Sequence, residues 1–333
     1  MNTNIQRKID LLAANKNAIS KKFSMEGNMM SIVSAFIYTG AGKEADVERL
    51  KECRKILKQH TGLLSSFRST TELAVISRMA LSEDPEKYFL DVKAAYDKIG
   101  RGKFADNSFM IIAATCIVEQ GRASEMDAVI SKFNEIYKRM GKEHPFLTSS
   151  EDMSLAMLLA LTDKSVDQII ADMETCYKYL KKESKMGAGS NAYQALSGVL
   201  AIADGNMVSR CDKATEIYKT FIAHKQKYGR DYEFESLGAL VDVNVDTETL
   251  VTEIIEVADA LKKHKGFGSW SIDQKMRLMF AGFLVSQEYS NVETSVTGTM
   301  LSSTIAAVIV EEIVIMMCII AATTAAATAN ATN

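Results

Sequence analysis

The chain has 333 residues, of which 47% are hydrophobic and 24% are charged, so it can bury a core of the size of one large domain or two ordinary ones. Its 39 Lys and Arg residues against 42 Asp and Glu residues leave a formal charge of −3, and this balance gives no signal for specific nucleic-acid binding. The five cysteines form no CxxC or CxH pattern, which argues against a disulfide framework and predicts reduced, mostly buried thiols. The N-terminus lacks the uninterrupted apolar stretch of a secretory signal, so we expect a cytoplasmic protein.

Hydrophobic residues recur with helical spacing along nearly the whole chain. Only two prolines occur, Pro85 and Pro145, and both fall between periodic stretches. No stretch alternates with period two for long enough to make a convincing strand, so the sequence predicts an all-α protein. The clearest amphipathic helix, with charged residues between its apolar ones, is marked by Val166, Ile169, Ile170, Met173, Cys176, Tyr177 and Leu180.

The periodic stretches themselves repeat about every 40 residues. Four tyrosines take the same place in successive stretches and are 41, 40 and 41 residues apart: Tyr96, Tyr137, Tyr177 and Tyr218. Each unit consists of a short apolar helix, a polar turn, an amphipathic helix and a connector. We therefore expect about six αα-hairpins over 28–290, an N-terminal helix over 1–27, and an apolar C-terminal helix with a low-complexity tail over 291–333. Because one hairpin cannot cover its own apolar stripe, the hairpins must stack as an open α-solenoid or a closed α/α toroid.

The apolar stretch 305–322 is long enough to be considered for a membrane span. Glu311 and Glu312 argue against it, because two central carboxylates cost about 5 to 7 kcal/mol on an insertion scale. The nine Ile and Val residues of the stretch contribute only about 4 kcal/mol in the other direction. We therefore expect a buried or interfacial helix, membrane association of this segment is disfavoured, and the protein should fractionate with the cytosol.

No reactive or cofactor-binding motif emerges from the sequence. The glycine-rich connectors KMGAGSN and KGFGSWS lack a preceding strand and the GKS or GKT ending of a phosphate loop, so they are better explained as helix C-caps. No HExxH motif occurs and no His pair has i, i+4 spacing, so neither a metal nor a cofactor is predicted. The histidines all lie in or just after the last turns of amphipathic helices: His60, His144, His224 and His264.

Residues at the starts of the apolar helices would face the mouth of a toroid's cavity or the edge of a solenoid's concave surface. Thr148 with Glu151 has the spacing of a capping box and marks one such start. A pair of carboxylates there could do acid–base work only if burial pushed their pKa values apart. The only tryptophan could be a ligand platform, although packing against the next hairpin is the simpler interpretation. The polar or large candidates at these starts are Asp106, Asp152, Asn191, Trp270 and Asp273.

The amphipathic helices begin with acidic residues and end with basic ones. Complementation of the helix dipole is the simplest explanation. If stacking aligns the basic ends, however, they form a positive rim that could bind an acidic protein or a phosphorylated ligand despite the negative total charge. The candidate members of this rim are Lys181, Lys182, Lys185, Lys262 and Lys263.

Two stretches carry a family resemblance. HPFLTSSEDMSLAMLLAL at 144–161 and SNAYQALSGVLAI at 190–202 resemble the uncharacterised bacterial family catalogued as domain of unknown function 4003. The similarity covers most of the chain up to about residue 285, and the Ala-rich end is similar too. The resemblance implies a cytoplasmic protein of Gram-positive-type bacteria with no assigned activity, and it transfers no functional residue.

Two functions fit these observations. Regular repeats without a reactive constellation favour a non-catalytic binding or scaffolding module that uses the repeat surface. Six hairpins with polar residues at the inner-helix starts would also suit an α/α-toroid enzyme acting on a small molecule or a modified peptide in a central cavity. Contact between the first and last hairpins around a deep pocket lined by the candidate residues would favour the enzyme.

Overall fold

The computed structural model describes residues 2–100 and 108–289, together with Val308, Glu311, Ile313 and Val314. Every regular element in this part of the chain is helical, so the prediction of an all-α protein is confirmed. Two elements depart from the α geometry, a 3₁₀ helix over Tyr232–Leu240 and a π-helical turn over Leu180–Ser184. The α-helices are α1 (Thr3–Lys22), α2 (Gly27–Gly40), α3 (Val47–Gln59), α4 (Glu72–Leu81), α5 (Pro85–Gly100), α6 (Ser108–Glu119), α7 (Met126–Glu143), α8 (Met153–Ala160), α9 (Val166–Tyr179), α10 (Ser190–Ile202), α11 (Met207–Ala223), α12 (Thr247–Leu261) and α13 (Gln274–Tyr289). Shorter 3₁₀ turns occupy Ser24–Glu26, Ser66–Arg68, Ala123–Glu125 and Ser150–Asp152.

The helices fall into two kinds. In α4, α6, α8, α10 and α13 most residues are buried, and all eight residues of α8 are. In α3, α5, α7, α9 and α12 only one stripe is buried, and the opposite face is charged. Helices of the first kind, called inner helices below together with α2 and the 3₁₀ helix, must be covered on all sides. Helices of the second kind, called outer helices below together with α11, cover them.

The capping box predicted before α8 is present, but it lies one residue further along the chain than predicted. The capping box forms between Ser149 and Asp152, whose Oδ2 accepts from the Ser149 N–H at 2.7 Å, and not between Thr148 and Glu151. The Thr148 hydroxyl instead accepts a hydrogen bond from Gln194 Nε2 at 3.2 Å. The outer helices have the expected short polar N-caps, which satisfy first-turn N–H groups: Asp46, Ser165, Asn206 and Asp246.

Glycine permits the closest approach between inner helices. A Cβ atom on Gly198 of α10 would lie 2.5 Å from Leu155 Cδ2 of α8, and one on Gly238 of the 3₁₀ helix would lie 2.5 Å from Val199 Cγ1 of α10. Inner helices in contact along the chain include α2 with α4, α6 with α8, α8 with α10, α10 with the 3₁₀ helix, and the 3₁₀ helix with α13. The apolar helices therefore pack directly on one another as well as on the outer helices.

Basic side chains of the outer layer cap the C-terminal ends of inner helices. Arg49 donates from Nε and Nη2 to the carbonyls of Ala80 and Ser82 at the end of α4, at 2.7 and 2.9 Å. Lys164 donates to the carbonyls of Ala201 and Ala203 at the end of α10, at 2.9 and 2.6 Å. The last carbonyls of a helix lack intrahelical hydrogen-bond donors, and they form the negative end of the helix dipole. These cations donate hydrogen bonds to the carbonyls and also interact favourably with the dipole.

Polar pairs also join successive outer helices. The last turn of one helix reaches the next one, and at most of these junctions a basic or imidazole group lies beside a carboxylate. Between α9 and α11 the Tyr179 hydroxyl donates to Asp212 instead. Such pairs at or near the surface contribute little stability each, but they recur between successive outer helices. The pairs are His60–Glu86 at 2.7 Å, Lys98–Asp127 at 2.6 Å, Arg139–Asp167, His144–Glu174 at 2.5 Å and His224–Glu248 at 2.6 Å.

The first helices of the chain contact the last ones. Helix α1 packs on α2 and also on α12 and α13. Glu288 of α13 accepts from Asn4 Nδ2 at 2.9 Å and lies 3.0 Å from Lys8 Nζ. Between α2 and α13, the rings of Phe36 and Phe280 are 5.1 Å apart. Both layers of the start of the chain thus meet their counterparts at its end.

The described residues of the C-terminal segment are buried in the same apolar core as the inner helices. Val308, Ile313 and Val314 are at most 2% exposed. Glu311 is also buried, and its Oε2 lies 2.7 Å from Nη2 of Arg78 on α4. No helix within the described residues is long and apolar enough to cross a membrane, and most of 305–322 lies outside those residues.

Replacing Glu311 alone should destabilise the protein strongly. In Glu311→Leu the Arg78 guanidinium stays buried without its partner, which costs about 3 to 5 kcal/mol, whereas Arg78→Met combined with Glu311→Leu should recover most of that loss. Urea unfolding of the wild type, both single variants and the double variant measures this coupling. A change below about 0.5 kcal/mol in Glu311→Leu would mean that Glu311 faces water.

Candidate functional site

The connectors that lead from outer to inner helices are together called the connector end below. Hydrogen bonds link some of these connectors to neighbouring helix starts. Asn28 at the start of α2 donates to the Gly266 carbonyl at 2.9 Å, and Gln274 at the start of α13 donates to Gln226 Oε1 at 2.5 Å. The connectors belonging to this end are 23–26, 60–71, 144–152, 185–189, 224–231 and 262–273.

Three carboxyl groups at the connector end form an acidic cluster of Glu151, Asp152 and Glu235. Glu151 and Asp152 come from the 3₁₀ turn that precedes α8, and Glu235 comes from the first half of the 3₁₀ helix Tyr232–Leu240. Glu235 is 7% exposed, and the other two are half-buried. No ion pair reaches any of the three among the described residues, because no Lys, Arg or His nitrogen there lies within 4 Å.

Burial and mutual repulsion hold protons on this cluster. Burial raises the pKa of Glu235 to about 8, and the neighbouring charges of Asp152 and Glu151 raise it further in the same direction. Burial also raises the pKa of Asp152 to about 7, against the effect of the Ser149 N–H that it accepts. The pKa of Glu151 is raised by burial alone. Two carboxyl groups of the cluster therefore change protonation close to neutral pH.

Neutral polar groups surround the cluster. Gln194 of α10, 2% exposed, donates from Nε2 to Thr148 beside the cluster, while its Oε1 has no hydrogen-bond partner among the described residues. The Tyr137 hydroxyl donates to the Ser149 carbonyl at 2.9 Å. A buried carbonyl oxygen without a donor is costly, so this atom is an unused hydrogen-bond acceptor beside the cluster.

A polar cavity lies at the same end, between α12, the connector 262–273 and α13. Its volume is about 440 Å³, within the range of small-molecule sites. Apolar side chains form part of its wall, and charged or amide groups stand around it. The lining residues are Gln226, Ile255, Ala258, Asp259, Lys262, Ser269, Asp273, Gln274, Arg277 and Leu278.

Arg277 supplies a buried positive charge to the wall of this polar cavity. Its Nη1 donates to the carbonyls of Ile272 at 2.6 Å and Phe267 at 3.3 Å, which fixes the guanidinium, and the residue is 6% exposed. Within the described residues no carboxylate lies within 4 Å of it. A buried guanidinium without an anion favours a ligand that brings one.

The five candidate residues predicted at the starts of the apolar helices lie in different parts of the protein. Asp152 belongs to the acidic cluster, and Asp273 lines the polar cavity while its Oδ1 caps α13 through the Met276 N–H at 2.9 Å. Trp270 stands fully exposed beside the cavity, and Asn191 is exposed on the first turn of α10. Asp106 lies outside the described residues. In the described part of the chain these residues do not share one pocket.

The predicted basic rim is partly engaged in local contacts. Lys181 donates to the Tyr177 hydroxyl at 3.2 Å and to Ser190 Oγ at 3.3 Å, and Lys182 lies 3.2 Å from Glu183. The remaining members are exposed, with Lys262 at the polar cavity: Lys185, Lys262 and Lys263. A single positive rim stays a prediction.

Sequence reasoning missed Glu235, Gln194 and Arg277. Each is a polar residue inside an otherwise apolar inner helix, as in YEFESLGAL or QKMRLMFAGFLV. A charge embedded in an apolar stretch is costly to bury, and this anomaly was the signal available in the sequence. The described residues contain no group of three or more His, Cys, Asp and Glu side chains arranged to hold a metal ion.

Comparisons with known proteins establish the family. The model of the family described as "Protein of unknown function (DUF4003)" matches residues 15–314, so the chain belongs to this family. The chain is also similar to "Uncharacterized protein YeaA" of Bacillus subtilis (strain 168), with 24% identity over 319 residues covering 90% of this chain and 92% of that protein. No solved structure matches the chain.

The acidic cluster should make the protein less stable as the pH rises. The folded-state pKa of Glu235 is about 8, which lies above its unfolded value. The protonated Glu235 carboxyl therefore contributes its full share to the free energy of unfolding below the unfolded pKa. This contribution is lost as the pH rises to about 8. Glu235→Gln, which mimics the protonated form, should reduce this decline and stabilise the protein at pH 8 by roughly 2 to 4 kcal/mol.

Urea unfolding at several pH values between about 4 and 9 measures this effect. The matched control is Glu135→Gln, because Glu135 is exposed on α7 and has no ion pair among the described residues. Equal pH profiles for Glu235→Gln and the wild type would show that Glu235 is ionised and solvated in the folded protein.

Proposed function

We propose that this member of the DUF4003 family is a non-catalytic binding module, a closed ring of helical hairpins that holds a small ligand in the polar cavity. The ligand carries both an anionic group and an ammonium group. The observation that carries this proposal is the buried Arg277 guanidinium in the cavity wall, which lacks an anionic partner among the described residues.

Contacts between the two ends of the chain support the closed ring. In the outer layer α1 lies against both α12 and α3, and in the inner layer α2 and α13 meet through Phe36 and Phe280. An open solenoid would separate these helices by the length of the array. The recurring pairs between successive outer helices, such as Lys98–Asp127 and His224–Glu248, support a repeated hairpin unit.

Filling of the ring's interior favours binding over catalysis in a central cavity. The inner helices are buried on nearly all sides, and Val308, Glu311 and Val314 lie in the same core. Asp152 and Asp273, which would share a catalytic pocket in the enzyme hypothesis, lie in different places. The polar cavity is instead at the connector end, beside the exposed Trp270.

The charges of the polar cavity set the chemistry of the ligand. Arg277 and Lys262 can neutralise a carboxylate or phosphate, while Asp259 and Asp273 can accept from an ammonium group. None of these four side chains has an ion-pair partner within 4 Å among the described residues. A small zwitterion, such as an amino acid or a phosphorylated amine, would satisfy both signs.

A second candidate function is proton-transfer catalysis at the acidic cluster. It is supported by two carboxyl groups with pKa values of about 8 and 7, Glu235 and Asp152, which suit a general acid and base at neutral pH. The two functions differ in the fate of a bound compound. If the protein is a binding module, NMR after prolonged incubation would show an unchanged ligand. If it is an enzyme, NMR would show a product with the wild type and no product with Glu235→Gln.

We also propose a cytoplasmic location. Cys53, Cys176 and Cys211 are buried thiols that form no disulfide, which is typical of a reducing compartment.

Zwitterions should stabilise the protein through the polar cavity. A ligand at about 100 times its Kd raises the free energy of unfolding by about 2.7 kcal/mol, so a thermal-shift panel of amino acids and phosphorylated amines should contain compounds that raise Tm. Lys262→Gln and Asp273→Asn should each remove that shift. Asn still caps α13, so the second variant removes the charge and keeps the helix start.

Lys263→Gln is the matched control, because Lys263 is an exposed neighbour that does not line the cavity. A Tm shift that survives both cavity variants, or a panel in which only cations or only anions stabilise the protein, would contradict the proposed ligand chemistry.

A further inference from the structure

Fully exposed apolar side chains are concentrated on the connectors. Met25, Leu64, Phe146 and Trp270 are each at least 96% exposed, and each lies on a different connector. The other large exposed apolar residues on connectors or at an inner-helix start are Leu63 and Tyr232, whereas Leu90, Val208 and Ile222 lie on outer helices. Single exposed apolar side chains are common on protein surfaces, but here the four most exposed ones all lie on connectors that lead into inner helices.

These side chains belong to one end of the molecule. Beside the contacts of Asn28 with Gly266 and of Gln226 with Gln274, Arg54 links the starts of α2 and α4, because it lies 2.6 Å from Glu26 and 2.5 Å from Glu72. Lys275 at the start of α13 lies 3.7 Å from Asp231 in the connector before the 3₁₀ helix. The connectors therefore follow one another around the connector end.

Exposed lysines flank each of these apolar side chains. Among the described residues none of them has a carboxylate within 4 Å, so their charges are available to a partner. They are Lys21 and Lys22 before Met25, Lys58 before Leu64, Lys142 before Phe146, Lys225 and Lys227 before Tyr232, and Lys263 and Lys265 before Trp270.

Several acidic groups at this end are paired or buried, whereas Glu143 and Asp273 are exposed and have no ion pair among the described residues. Glu26 is paired with Arg54, Asp231 with Lys275, and Glu183 with Lys182. The carboxyl groups of the acidic cluster are partly or fully buried. The connector end thus combines positive charge with apolar side chains, although the whole chain is slightly negative.

We propose that the connector end docks onto the surface of an anionic lipid bilayer, with Met25, Leu64, Phe146 and Trp270 inserted among the headgroups. A protein partner would need one continuous complementary patch, whereas these side chains stand apart on separate loops. A fluid bilayer accommodates each of them independently, and the lysines meet the lipid phosphates. Tryptophan in particular prefers the membrane interface, where its ring and its N–H are both satisfied.

The single tryptophan makes the test direct. When the full-length protein is mixed with vesicles of equal parts phosphatidylglycerol and phosphatidylcholine, Trp270 emission should shift to shorter wavelength and be quenched by brominated acyl chains. Vesicles of pure phosphatidylcholine should give a much smaller shift. Binding should weaken as salt is raised from about 50 to 500 mM.

Variants separate the two parts of the surface. Phe146→Ser with Leu64→Ser should weaken vesicle binding by roughly tenfold or more, and so should the charge reversals Lys142→Glu, Lys227→Glu and Lys265→Glu combined. The matched control is Leu90→Ser with Val208→Ser, which removes exposed apolar side chains from outer helices. Circular dichroism of each variant verifies that the helical fold is retained.

Three results would overturn the proposal. The first is unchanged Trp270 emission with anionic vesicles, and the second is an equal loss of binding in the control variant and the connector variants. The third is tight binding to poly-glutamate without any emission shift on vesicles, which would identify an acidic protein as the partner of these lysines.

Discussion

The whole architecture depends on helices that cannot face water on any side. All residues of α8 are buried, as are most of α4, α6 and α13. Such helices need an outer layer on one side and apolar neighbours on the others. The amphipathic helices supply the first, while neighbouring inner helices and the buried residues around Glu311 supply the second. Contact of α1 with α2, α12 and α13 contributes to this cover.

The few charges inside this apolar layer mark the places where something other than packing is required. Arg78 binds Glu311 of the C-terminal segment, Glu235 belongs to the acidic cluster, and Arg277 lines the polar cavity. Burying an ionisable group is unfavourable unless a partner compensates for it. Arg78 has its partner within the chain. For Glu235 and Arg277 the described residues provide no opposite charge. Glu235 is therefore expected to bind a proton, and Arg277 is proposed to bind an anionic ligand.

Sequence patterns predicted what depends on neighbours along the chain. The helices and their order of apolar and amphipathic character follow from local spacing, although the capping box forms at Ser149 and not at Thr148. Pairs such as His60–Glu86 could not be predicted, since they depend on how one hairpin lies on the next. The same holds for the acidic cluster, whose carboxyl groups lie 83 residues apart in sequence, from Asp152 to Glu235.

We propose that the chain closes on itself through α1, α2 and α13. Zero-length carbodiimide coupling followed by peptide mass spectrometry tests it most directly, because Lys8 and Glu288 lie 3.0 Å apart and the reaction needs no mutation. The account predicts a Lys8–Glu288 amide within monomeric protein, formed as readily as one between Lys98 and Asp127, which lie 2.6 Å apart. Recovery of the Lys98–Asp127 product without any Lys8–Glu288 product, or with the latter only in dimers, would contradict a closed ring.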